Sequence, residues 1–420
     1  MRYSQNIDLT LQAAIGDHGL GNADIEAELA AVPAAIEKIR AWRAAGARPF
    51  LNLPSQDDDL ALIAEVAGEF RARFKRLVVF GTGGSSLGAR ALVALPAAEG
   101  HTPLPVFLEG SDPLTFETVL AEAAPEETGF LVISKSGGTS ETVMQALLAM
   151  ARAPAANFVF VTEPGDNPLR RIAAEESVRV LDHDPALGGR FSVMSQVGLI
   201  PAAYAGVDGA AVRAGAREVL DAALAAPHPA ECVPGLGAAI AAALARKGVT
   251  VDIVMPYAER LHAFALWYRQ LWAESLGKDG LGMTPVAARG PVDQHSQLQL
   301  YLHGPHDKLV TVVSLEQPED GARIETSRAA VAGLPWLAGQ GLASLNDALA
   351  ESTAETLTAH LRPVRRLLLP SLDAGALGAL MMHFMLETVI AAEMLGVDAF
   401  DQPAVEHGKV LARARMGGPG

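Results

Sequence analysis

Gln270 and Glu274 stand four residues apart, and Asp293, Gln294, His295 and Ser296 follow after a glycine-rich turn. Side chains at that spacing share a helix face, so an amide and a carboxylate are presented together. A carboxylate that accepts a proton and an imidazole that delivers one are the ingredients of general acid–base catalysis. Residues 258–276 are expected to be a helix, being rich in good helix formers with apolar residues on one side. Gly277, Gly280 and Gly282 end it, because glycine enters left-handed backbone conformations at little cost. A carboxylate in the last helical turn meets the negative end of the helix dipole, which tends to raise its pKa and suits a proton acceptor. The same spacing allows a plainer arrangement, in which Glu274 pairs with Lys278 on a solvated face.

Two further segments have the composition of anion-binding loops. Residues 81–88, GTGGSSLG, follow an apolar run and lead into a helix expected near Ala89. There, free backbone N–H groups at Gly84, the helix N-terminus and the hydroxyls of Ser85 and Ser86 can meet an anion. A dinucleotide fingerprint would carry glycine where Ser86 stands, although Glu109 could act as its ribose-binding acid. The Gly-Lys-Ser/Thr ending of a nucleoside triphosphate loop is missing. Residues 134–142, SKSGGTSET, again join an apolar run to a helix and offer hydroxyls at Ser134, Ser136 and Thr139 beside Lys135. An ordinary helix cap with Glu141 in the first turn would use one of those hydroxyls, not three. Two such loops in one domain point to a sugar-phosphate pocket over a dinucleotide site.

Those loops need a scaffold. Short apolar runs at 77–80, 106–108, 130–133, 158–161 and 179–181 alternate with helical stretches, and a second set lies at 251–254, 309–313 and 366–369. That alternation predicts an α/β fold with two doubly wound parallel-sheet domains, whose ligands sit beyond the carboxyl ends of the strands. The expected organisation is a mostly helical N-terminal arm over 1–44, with Asn22 or Asp24 as its start signal, and a first domain over 45–206. An Ala-rich helical linker over 207–245, a second domain over 246–370 and a helical segment over 371–420 follow.

Composition narrows the function. The 420 residues are half hydrophobic, enough for two real cores. A formal net charge of −15 argues against a nucleic-acid partner, which needs a basic footprint, and leaves room for a local phosphate site. Cys232 is the single cysteine, so the chain has neither an internal disulfide nor a multi-cysteine metal site; a reduced, partly buried thiol is expected. His303 and His306 near Asp293 and His295 lack the regular spacing of a metal site. The N-terminus has no leader-like basic start and apolar run, and the apolar stretch 367–395 is interrupted by Asp373, His383, Glu387 and Glu393. A buried helix, no membrane partner and a cytoplasmic location are the expectations.

Six segments in fixed order carry a resemblance: the two loops above, GGRFS at 188–192, QLWAESLGK at 270–278, DQHS at 293–296 and DQPAVEHGK at 401–409. Together they resemble the glucose-6-phosphate isomerase family, also called phosphoglucose isomerase, of the sugar isomerase fold in its short prokaryotic form. The resemblance implies interconversion of glucose 6-phosphate and fructose 6-phosphate through ring opening and a cis-enediol, without cofactor or metal. It casts Glu274 as the proton-moving base, His295 as the ring-opening histidine assisted by Lys409, and Arg190 as the stabiliser of the enediolate. Gly84, Ser85, Ser134, Lys135, Ser136 and Thr139 become phosphate ligands, and Gln270 and Gln402 substrate contacts. It further implies a homodimer in which His295 serves the neighbouring subunit's site. Gly137 and Gly138 stand where the family often has Phe-Thr, and Ala404 where it often has Gly.

Other readings share these residues. One is an isomerase that also accepts mannose 6-phosphate, as some relatives of the sugar isomerase fold do; the other is a sugar-phosphate sensor, which would keep the loops without the catalytic side chains. Taken singly, Arg190 could anchor its glycine turn to a carboxylate, and Lys409 could be a solvated helix residue beside Glu406.

Overall fold

The computed structural model of the chain describes residues 2–96, 103–122, 124–316 and 321–418. Among them, ten strands form two five-stranded sheets. A short strand near the N-terminus, β1 (Ser4–Asn6), belongs to the second sheet, so the N-terminal arm contributes a strand as well as the expected helices. Asp24 accepts the Gly21 N–H at 2.8 Å and so fixes the start of the helix Asn22–Leu29.

The first sheet consists of β2 (Arg76–Phe80), β3 (Val106–Leu108), β4 (Thr128–Ile133), β5 (Phe158–Thr162) and β6 (Arg179–Asp182). All neighbours are parallel and the order is β3-β2-β4-β5-β6. The near-continuous apolar sequences of β2, β4 and β5 are what a strand covered on both faces requires. The order reverses between β2 and β4, so the crevice at their carboxyl ends is the topological switch point. Both hydroxyl-rich loops leave the sheet there.

The second sheet repeats the pattern with β7 (Val251–Pro256), β8 (Thr284–Ala287), β9 (Lys308–Leu315) and β10 (Val364–Leu369) in the order β1-β10-β9-β7-β8. Only β1 runs antiparallel, Ser4 lying opposite Leu368. One apolar core joins the two sheets: Leu77, Val79 and Leu131 from the first, Val254, Leu309 and Leu367 from the second, with Leu380 and Phe384 from the helix Ala374–Leu395. That helix is long and apolar enough to cross a bilayer, yet it is buried in this core along nearly its whole length. Cys232 is buried and unpaired.

A polar network crosses the second sheet's core. Arg365 on β10 donates to Glu387 (2.7 Å) and Thr311 (3.0 Å), His383 lies 2.8 Å from Glu387, and the Tyr3 hydroxyl is 2.7 Å from the other His383 ring nitrogen. Asp252 on β7 accepts the hydroxyl of Tyr268. Buried charges persist when paired in this way.

Candidate active site

The base candidate is positioned by its helix. The observed helix is His262–Leu276, entered through a short 3₁₀ turn, Glu259–Leu261, and closed by Gly277. Glu274 is half-buried in its last turn, and both carboxylate oxygens are occupied. Oε1 accepts from Gln270 Nε2 at 2.9 Å and Oε2 from Arg190 Nη1 at 3.1 Å. The alternative Glu274–Lys278 side-chain pair does not form. Lys278 Nζ donates instead to the carbonyls of Glu274 (3.1 Å) and Ser275 (2.9 Å) and pairs with Asp401 at 3.2 Å. A lysine that closes the orphan carbonyls of a helix end satisfies the C-terminus and leaves the carboxylate free for other partners.

Arg190 is 3% exposed and is held on five sides. Its Nε donates to Ser275 Oγ (2.9 Å), Nη1 to Glu274 and Gln402 Oε1 (2.7 Å), and Nη2 to the carbonyls of Ala399 (2.5 Å) and Asp401 (3.0 Å). Burial lowers its pKa from the ordinary arginine value while Glu274 opposes the shift, so the group remains a fixed cation. The carboxylate anchor expected in the plain reading of Arg190 is thus Glu274 itself.

The first hydroxyl-rich loop leaves β2 as a 3₁₀ turn, Gly83–Ser85, and enters the helix Leu87–Val93. Gly83 has φ +57°, and a Cβ there would lie 2.8 Å from Gln270 Nε2. A Cβ on Gly84 would fall 2.3 Å from the Gly189 carbonyl carbon. This loop therefore touches both the helix of Glu274 and the turn of Arg190. Ser85 is partly open, whereas Ser86 is buried and donates to Glu109, which also pairs with Arg90. The acid that a dinucleotide site would use on a ribose is thereby committed to an internal ion pair.

In the second loop the Ser134 and Thr139 hydroxyls lie 2.9 Å apart, and Ser136 is exposed with Oγ accepting from the Gly138 N–H at 3.3 Å. Thr139 precedes the helix Ser140–Met150 but does not cap it with its side chain, so the ordinary helix-cap arrangement is not adopted. Lys135 is half-buried, and its carbonyl receives the Thr162 hydroxyl at 3.1 Å. Gly137 has φ +63°, and a Cβ there would come within 1.9 Å of Asn167 Oδ1. Asn167 caps the helix Pro168–Glu176, so the loop's shape is set by a neighbouring element.

His295 and Lys409 are not part of this cluster in a single chain. Strands β7 and β8 are parallel, so the helix between them runs back along the sheet. Glu274 lies near its lower end, while His295 follows β8 in the turn packed at the upper end, where Gly290 closes on Pro256 and Tyr257. Roughly 20 Å of helix separates the two levels. His295 is exposed, and Asp293 beside it is occupied by the Ser296 hydroxyl (2.7 Å) and the Arg289 N–H (2.6 Å). Lys409 is exposed on the helix Glu406–Arg415 and paired with Glu406 at 2.7 Å. His306 stacks on His18 with ring centroids 4.0 Å apart and His303 lies against His360, each turned to another imidazole. Among the described residues no cluster of three or more His, Cys, Asp or Glu side chains has metal-holding geometry.

No motif in the sequence marks Ser275, or the Ala399 and Asp401 carbonyls, as partners of Arg190. Ser275 is adjacent to Glu274 on the helix and so points about 100° around it. A backbone carbonyl has no residue signature at all.

Hydroxyl-rich loops at a switch point, facing an ion-paired carboxylate on a second doubly wound sheet, define an α/β enzyme of the sugar isomerase fold. A sequence model of phosphoglucose isomerase matches residues 63–284. A glucose-6-phosphate isomerase of Rubrobacter xylanophilus is 38% identical over 88% of this chain and 89% of its own length. One of Carboxydothermus hydrogenoformans is 34% identical over 96% and 92%. The crystal structure of a hypothetical protein from Thermus thermophilus superposes with a TM-score of 0.88 at 32% identity, covering 99% of this chain and all of that one (100%). A Chlamydia trachomatis glucose-6-phosphate isomerase shares the fold, with a TM-score of 0.77 at 21% identity over 99% of this chain and 88% of its own. The chain belongs to the phosphoglucose isomerase family.

Proposed function

We infer that this chain reversibly isomerises glucose 6-phosphate and fructose 6-phosphate, as the names of its relatives state for them. The observation that carries the reading is the pairing of Glu274 with both Gln270 and Arg190 directly against the first phosphate-type loop. In the open-chain aldose, Glu274 takes the proton from C2 while the C1 oxygen gains one, giving the cis-enediol. Return of the proton to C1, with loss of the proton on the C2 oxygen, gives the ketose. Arg190 lies beside the base as a preorganised cation where enediolate charge develops.

In this reading the phosphate is held by the Gly84 N–H, Ser85, Ser134, Lys135, Ser136 and Thr139. Gln270 and Gln402 contact the sugar hydroxyls. His295 opens the ring with help from Lys409. The separation of His295 from Glu274 along one helix supports a homodimer, in which His295 enters the neighbouring subunit's site. The exposure of every residue of the helix Glu406–Arg415 supports Lys409 being brought in by the same assembly. We place the enzyme in the cytoplasm, in sugar-phosphate breakdown and synthesis.

The test is a coupled assay of glucose 6-phosphate formed from fructose 6-phosphate, run on wild type and Glu274→Gln. Wild-type turnover that vanishes with the substitution is expected. An inactive wild type overturns the isomerase reading, and a fully active variant overturns Glu274 as base.

A further inference from the structure

Behind the loop that holds Arg190 lies a cavity of about 480 Å³, lined by Lys38, Trp42, Arg48, Glu393, Val397, Asp398 and Phe400. Its volume falls in the range of small-molecule sites. The guanidinium of Arg48 sits over the Phe400 ring, 3.9 Å from its centroid, and 5.5 Å from the centroid of Trp42, whose ring stands edge-on to Phe400. Its Nε is buried without a hydrogen-bond partner, and among the described residues no carboxylate pairs with it. The other charges of the cavity are engaged. Lys38 Nζ lies 2.8 Å from each carboxylate oxygen of Glu393, and Asp398 Oδ1 accepts the Phe400 N–H at 2.8 Å. An aromatic face takes none of an arginine's N–H donors, so the Arg48 fork stays available to a carboxylate or phosphate, the groups it matches best.

We propose that this cavity is a binding site for a small organic anion, whose phosphate or carboxylate takes the Arg48 fork and whose apolar body lies against Trp42, Val397 and Phe400. The site sits on the loop that cradles Arg190. Phe400 stands between Ala399 and Asp401, whose carbonyls receive Arg190 Nη2, and Gln402 follows. Phe400 also packs on Phe191, next to Arg190, with centroids 5.3 Å apart. An anion bound to Arg48 therefore bears on the residues that hold the active-site cation, and the site is regulatory. That coupling, unlike the binding itself, rests on the isomerase reading of Arg190.

Phenyl phosphate and benzoate serve as the two probes, titrated against the full chain with a saturating equilibrium mixture of glucose 6-phosphate and fructose 6-phosphate occupying the phosphate loops. Trp42 emission is the readout; Trp42→Phe identifies its share of the signal. A saturable change with either probe is expected, weakened about tenfold or more in Arg48→Gln, the loss of a charge-assisted hydrogen bond. Arg48→Lys, which keeps the charge without the fork, weakens it less and decides the matter if the glutamine variant does not fold. The stronger probe tells phosphate from carboxylate.

No saturable signal with either probe, or equal affinity in the Arg48 variants, overturns the site. Emission that follows protein concentration and ignores both probes also overturns it, a second copy of the chain then filling the cavity. Because binding is read from Trp42 and not from turnover, this result is independent of the isomerase reading. The regulatory link predicts that the bound probe changes kcat in wild type and not in Arg48→Gln; an unchanged kcat with the probe bound removes the link.

Discussion

Gln270 Nε2 donates to Glu274 Oε1 at 2.9 Å and also stands where a side chain on Gly83 would begin. One amide thus links the candidate base to the first hydroxyl-rich loop. A shift of that loop by a few tenths of an ångström is felt at the carboxylate, because close-packed groups transmit displacement instead of absorbing it.

Glu274→Gln is expected to lower kcat by roughly two to four powers of ten, the usual contribution of a positioned acid–base group, with KM little changed. Steady-state kinetics in both directions measure this. A loss confined to KM would make Glu274 a binding residue.

Gly137→Ala places a methyl-bearing residue at φ +63° against Asn167 Oδ1. Left-handed backbone costs a non-glycine residue about 1–2 kcal/mol, and the contact forces the second hydroxyl-rich loop or the Asn167 cap to move. KM for fructose 6-phosphate should rise several-fold or more, ahead of any change in kcat. Unaltered kinetics with a lowered Tm would mean that the loop does not hold substrate.

Mixed dimers test where His295 acts. Glu274→Gln and His295→Ala are each expected to be nearly inactive as purified homodimers. In a two-fold dimer that exchanges imidazoles, unfolding and refolding them together regenerates one intact site in each mixed dimer. About a quarter of wild-type activity should then return from an equal mixture. Absence of any recovery would place His295 in its own subunit's site or outside catalysis.

Asp252 gives a pH dependence of stability with a definite sign. Burial pushes its carboxyl up to about 6, from an ordinary value of 3.8, against the opposing pull of Arg365 and the Tyr268 hydrogen bond. The folded chain therefore binds this proton more tightly than the unfolded chain. The associated stability is fully present below the ordinary value and is lost as pH rises through about 6. Asp252→Asn keeps an acceptor for the Tyr268 hydroxyl and removes the titration. The Tm of the variant minus that of wild type should increase from about pH 4.5 to about pH 7.5. A difference that stays flat or falls would show that Asp252 titrates elsewhere.

The strands legible in the sequence, edge strands β3 and β6 included, are those that carry an apolar run, and continuous runs such as 130–133 have few other uses. The two that escape the pattern, β1 and β8, are edge strands without such a run. Ser4–Asn6 is polar and three residues long, and Thr284–Ala287 contains Pro285, which removes a ladder donor and weakens any strand assignment. Their pairing is decided by the neighbours they meet. At the site, Glu274, Gln270, Arg190 and Gln402 are legible as side chains and do meet. Lys278 suggests itself as a partner for the Glu274 carboxylate and is not one, because residue spacing cannot tell a side-chain acceptor from a helix-end carbonyl. His295 and Lys409 are equally legible as side chains but stay exposed and apart from this cluster within one chain, which their spacing in the sequence does not reveal.

The pairing of Ser4 with Leu368, together with the Tyr3–His383 contact, ties β1 to segments translated long after it. On a ribosome, the first sheet has all of its strands once β6 has emerged, while β1 waits for β10. The nascent chain therefore carries an unpaired β1 and an incomplete second sheet until β10 has emerged. That half of the fold thus closes by a contact between segments far apart in the sequence, and the first sheet can form ahead of it.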